Sequence, residues 1–87
     1  MKIEQIQSKL ISKGFYTYFQ GEDLIAGRFK GVDEGTGINI LENTFTLSEF
    51  EENIVVEYGQ AQLILEKLFK NESELFDFID SNFKKTP

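Results

Sequence analysis

Residues 53–69 read NIVVEYGQAQLILEKLF, and the fold turns on whether the second half of this stretch is a strand or a helix. Ile54, Val55 and Val56 are β-branched and Tyr58 is aromatic, which suits a strand over residues 53–58. Gly59-Gln60 then offers a tight turn, and residues 62–69 return as a second strand. The rival is a helix from Gln60 to Lys70, because Ala61, Ile64, Leu65, Leu68 and Phe69 also fit a helical period. The β-branched run before Gly59 favours the hairpin.

On the C-terminal side of this hairpin, residues 72–83 read as a helix. Asn71 stands at its N-cap, Glu72 and Glu74 fill the first turn, and Lys84 and Lys85 follow its end. At 100° per residue Leu75, Phe76, Ile79 and Phe83 form one apolar stripe. Phe78 lies about 110° from the centre of that stripe, at its flank. Either it packs against the N-terminal helix and widens the stripe, or it anchors a partner between Glu74 and Asp77.

On the N-terminal side a helix and then three strands are expected. Residues 2–13 form a helix with Ile3, Ile6 and Leu10 on one face. Gly14 can take the positive φ of a Schellman cap, with Phe15 packing back on Leu10. Residues 15–19, all aromatic but for Thr17, make a first strand, and Leu24–Lys30 a second after a turn at residues 20–23. Residues 31–37, with three glycines, are a loop, and 37–41 a short third strand. Residues 45–50 admit two readings. Thr46 and Glu49 have capping-box spacing and Phe45 and Phe50 that of a hydrophobic staple, which favours a helical turn over Leu47–Glu52. The other reading is a strand through Thr44–Leu47 that turns at Glu51-Glu52-Asn53.

The sum is a single small α+β domain spanning residues 1–87. It has an N-terminal helix, an antiparallel sheet of four to five strands mostly in meander, and a C-terminal helix. Both helices pack on one sheet face, and the other face stays open. Placing the phenylalanines of the first hairpin on the core side puts Tyr16, Tyr18, Leu24, Arg28 and Lys30 on the opposite side. Tyrosine beside arginine is a composition of binding hot spots.

Composition narrows the chemistry. The 87 residues include no Cys, His or Trp. Thiol nucleophiles, Ser-His-Asp catalysis and ordinary zinc sites are therefore excluded from this stretch of chain. The loop from Asp33 fails calcium-loop spacing, since glycines, Gly35 and Gly37, stand where side-chain ligands are needed, and Thr44 stands where the loop needs a bidentate Glu. Gly35 and Gly37 lack the third glycine of a dinucleotide fingerprint. No cofactor, metal or catalytic residue is expected, and the chain reads as a non-enzyme.

Fifteen acids against nine bases give a net charge of −6. Placement is uneven: residues 22–57 hold nine acids and only Arg28 and Lys30 as bases. Between Gly31 and Glu57 there is no base at all. A one-signed segment of this kind repels nucleic acid and anionic membranes and steers a basic protein towards it. No apolar run is long enough for a membrane span, and the first residues lack a signal-peptide pattern, so a cytoplasmic protein is expected.

The functional expectation is a non-enzymatic acidic binding protein. By analogy of size and charge it suits a bacterial or phage inhibitor, of toxin-immunity or anti-defence type, that occludes a basic site on a toxin or nucleic-acid-handling enzyme. The alternative is a small structural or adaptor subunit, homodimeric through the open sheet face or an edge strand. The candidate partner-binding residues are Asp33, Glu34, Glu42, Glu49, Glu51 and Glu52 in the acidic segment, with Tyr16, Tyr18 and Phe78.

Overall fold

The computed structural model describes residues 1–83. The elements run α1 (Ile3–Ser12), β1 (Tyr16–Gln20), β2 (Asp23–Val32), β3 (Asn39–Phe50), β4 (Asn53–Gln60), β5 (Leu63–Phe69) and α2 (Glu72–Asn82). The five strands form one antiparallel meander in the order β1-β2-β3-β4-β5. Both helices lie on one face. Ile6, Leu10, Leu75 and Ile79 from the helices are fully buried with Leu24, Phe45, Leu47, Ile54 and Val56 from the sheet.

Both helices end and begin where their sequences dictate. Gly14 takes φ +92°, its N–H bonds to Ile11 O at 2.9 Å, and Phe15 N–H reaches Leu10 O at 3.0 Å. That is a Schellman cap, and it delivers Phe15 into the core. The Asn71 side chain accepts from Glu74 N at 2.9 Å, capping α2. Lys9 pairs with Glu72 and Lys13 with Asp80, so the two helices run side by side with their C-termini at the same end.

Arg28 sits at that end. Its guanidinium stacks 3.7 Å from the centre of the Phe15 ring and donates to Lys13 O and Phe83 O, each at 3.1 Å. Lys13 and Phe83 are the C-caps of α1 and α2. One fixed positive charge thus faces the negative ends of both helix dipoles.

Three expectations are corrected here. Residues 45–50 are not helical: β3 runs unbroken through them to the turn at Glu51-Glu52, close to the strand alternative. Phe45 and Leu47 point to the core while Thr44, Thr46 and Ser48 alternate away, so packing overrides the capping-box spacing. Phe50, the supposed staple partner, is exposed. The second correction concerns β2. The turn at Gly21-Glu22 pairs Phe19 with Leu24 and Thr17 with Ala26. Leu24, Ala26 and Arg28 therefore face the helices, and Ile25, Gly27 and Phe29 face away, inverting the expected faces. The β4–β5 turn also falls two residues later than expected, at Ala61-Gln62 (φ +51° and +68°).

Candidate functional site

The nine candidate residues do not converge. Asp33 and Glu34 lie in the β2–β3 loop, whereas Glu51 and Glu52 form the β3–β4 turn. The twelve residues of β3 separate the two groups, a span of roughly 35 Å at strand rise. The acidic segment is continuous in sequence but occupies opposite ends of the molecule.

Several of these acids have local duties. Asp33 Oδ1 accepts from Gly35 N at 2.8 Å and Thr36 N at 3.2 Å, shaping its own loop. Glu49 Oε1 accepts from Ile3 N at 2.8 Å. Lys2 occupies the N-cap of α1 without a side-chain bond, so Glu49, from the sheet, supplies the missing acceptor. Glu51 and Glu52 hold positive φ in a two-residue turn. Glu34 and Glu42 are exposed, Glu42 in register with Arg28.

Phe78 is half-buried, but its neighbours are not those of the N-terminal helix. Its ring lies 5.2 Å from both Tyr58 and Phe69 and 6.1 Å from Phe83. Lys67 Nζ stands 5.0 Å from the same ring. Phe78 therefore seals α2 against β4 and β5, and it is Phe76 that lies beside Lys9 and Lys13 of α1.

Tyr16 and Tyr18 are where the strand alternation placed them, on the uncovered face, 39% and 44% exposed. With Ile38, Asn39, Leu41 and Thr44 they line a shallow groove of about 480 Å³. The Tyr16 hydroxyl accepts from Asn39 Nδ2 at 2.8 Å, and its ring lies 6.3 Å from Phe29. Two features build the groove floor. An irregularity in the β2–β3 pairing, with Asn43 at φ +53°, carries both Leu41 and Thr44 to this side. Gly27 lies beneath them, where a Cβ would come within 2.9 Å of Thr44 Cγ2 and 3.2 Å of Leu41 Cβ. Only glycine lets the bulged β3 sit so close.

Register extends this surface across the sheet. Tyr18, Ile25, Thr46, Glu57 and Glu66 stand in one cross-strand row. Glu57 and Glu66 are directly opposite each other and both exposed. Like charges so placed repel. The charged strand residues that alternation puts on this face are Asp23, Glu57 and Glu66, all acidic. On the helix side, by contrast, lie Lys9, Lys13, Arg28 and Lys67, each against a carboxylate, a carbonyl or an aromatic ring. Lys30 sits at the second irregularity of β2. Sequence reasoning missed Phe29, Leu41, Glu57 and Glu66 as members of this surface. The period-two alternation of residues 54–58 was the signal that could have found Glu57.

Among the described residues no group of His, Cys, Asp and Glu is arranged to hold a metal ion, and no helix is long and apolar enough to cross a membrane. No protein-family model matches the chain, and comparison with curated proteins and with solved structures gives no match.

Proposed function

We propose that this chain is a binding protein without catalytic chemistry of its own, which lays its uncovered sheet face over a basic surface of a protein partner. The supporting observation is that, among the described residues, the strand acids of the uncovered face have no cation beside them, whereas the cations of the helix side are engaged there, with acids of their own in Glu72 and Asp80. The helix side holds the cations already engaged, and the uncovered side offers tyrosines and aliphatic groups beside Asp23, Glu57 and Glu66. Apolar contact of this kind supplies affinity, and the acids supply steering and orientation. An inhibitor that blocks a basic site on a toxin or a nucleic-acid-handling enzyme would use such a face, a link that rests on size and charge. A homodimer through the same face is less well supported, because apart from Lys30, at the irregularity of β2, the strands supply no base there to pair the three acids across two copies.

The test is affinity capture from the native host at low and high salt, with the wild-type chain beside Glu57→Lys/Glu66→Lys and Tyr18→Ala. The expected result is one basic protein retained at low salt, released at high salt, and weakened in both variants. A partner held equally by all three proteins at every salt concentration would overturn the reading.

A further inference from the structure

The two edges of the sheet are not equivalent. β1 is five residues long, and α1 reaches it: Gln7 Nε2 donates to Thr17 Oγ1 at 3.2 Å. β5 is seven residues long and, among the described residues, pairs only with β4. The two-residue turn at Ala61-Gln62 makes Gln60 and Leu63 the hydrogen-bonded pair that closes the hairpin. Backbone groups of residues 63, 65, 67 and 69 then turn inward to β4, and those of Ile64, Glu66 and Leu68 turn outward. No turn or loop backbone among the described residues bonds to these three. Their side chains all lie on the uncovered face, Ile64 76% and Leu68 43% exposed.

We propose that the free edge of β5 accepts a basic extended segment of a protein partner as a sixth strand. Charge selects this occupant. Glu66 already faces Glu57 on one flank, and the vacant position on its other flank is where an added strand sets a side chain. A Lys or Arg there meets Glu66, comes within reach of Glu57, and relieves their repulsion. Apolar residues two positions before and after it cover Leu68 and Ile64. The segment recognised has the pattern apolar-x-basic-x-apolar, with main-chain bonds to Ile64, Glu66 and Leu68 supplying affinity. A second copy does not fit. Within Leu63–Phe69, no antiparallel register that keeps the faces aligned puts a base opposite Glu66, because Lys67 lies on the helix side. The register centred on Glu66 would set two glutamates against each other.

This inference rests on the reading of the uncovered face as a site for a basic protein, and the test separates the two. The probe is a blocked seven-residue peptide with threonine at positions 1, 3, 5 and 7, valine at 2 and 6, and lysine at 4. Its controls carry glutamate at position 4, or N-methyl groups on alternate residues. Amide chemical shifts and hydrogen exchange of the full chain are followed during titration. The lysine peptide is expected to protect the amides of Ile64, Glu66 and Leu68. The glutamate peptide should bind on the order of tenfold more weakly, the difference between an attractive and a repulsive cross-strand pair. One of the two N-methylation patterns should abolish binding, and Glu57→Lys/Glu66→Lys should reverse the preference. Equal binding of the lysine and glutamate peptides, or no protection on β5, would overturn the proposal. Shifts confined to Tyr16, Tyr18 and Leu41 would overturn the edge site while leaving the face reading standing. Protection of β5 amides that rises with the chain's own concentration would identify a second copy as occupant and equally overturn it.

Discussion

The covered and uncovered faces of this sheet are made by the same strands, residue by residue in alternation, yet they handle polar groups in opposite ways. On the helix side, Arg28 is bonded to two carbonyls, and at the surface of α1 Lys9 and Lys13 each have an acid. On the other side Glu57 faces Glu66, and the tyrosines stand partly in solvent. The lesson is a division of labour: one face carries the stability of a small domain, and the other carries groups that folding alone does not require.

The contrast is sharpest in the core. Leu75→Ala or Ile79→Ala should cost about 2–5 kcal/mol by denaturant unfolding, since each loses a fully buried side chain and leaves a cavity. Tyr18→Ala, on the other face, should cost no more than about 1 kcal/mol. Equal losses at both positions would abolish the distinction between the faces. Next in size is Arg28→Met, which keeps bulk over Phe15 but gives up both carbonyl bonds. A loss of about 1.5–3 kcal/mol is expected for hydrogen bonds made by a charged group.

A smaller effect separates two acids that the sequence makes look alike. Glu49→Ala should lower stability by about 1 kcal/mol, the usual value of a helix cap. Glu51→Lys with Glu52→Lys, in the adjacent turn, should leave the unfolding midpoint within about 0.5 kcal/mol of wild type. The smallest effect has the opposite sign. Glu57→Thr should stabilise the chain by roughly 0.2–1 kcal/mol, because it ends a like-charge pair with Glu66. A destabilised Glu57→Thr variant would mean that the pair is not repulsive.

Helix ends were legible because their signals are local. Gly14-Phe15 and Asn71 act on backbone groups within five residues, and the structure uses them as their sequence suggests. The hairpin of residues 53–69 was legible from its β-branched run, although its turn falls at Ala61-Gln62 and not at Gly59-Gln60. β3 was not, because Thr46–Glu49 imitates a cap while its true determinant is the long-range burial of Phe45 and Leu47. The faces of β2 were misassigned by following the phenylalanines. Hairpin loop length fixes which residues share a face, and a two-residue turn sends Phe29 outward with Tyr16. The tyrosines of the candidate surface could be placed from alternation alone. Glu49 could not be told from Glu51, because its role depends on a helix terminus 46 residues away.

The position of Arg28 has a consequence for how the molecule comes apart. A meander binds each strand to its sequence neighbours and could fray from either end, one hairpin at a time. The guanidinium instead joins residue 28 to the last turns of helices on either side of it in the chain, 15 and 55 residues away. Releasing α2 strips that charge of half its acceptors, and releasing α1 strips it of the other half. Opening either helix therefore weakens the anchorage of the other, and amide exchange in α1 and α2 should report a shared opening free energy, which Arg28→Met splits into two.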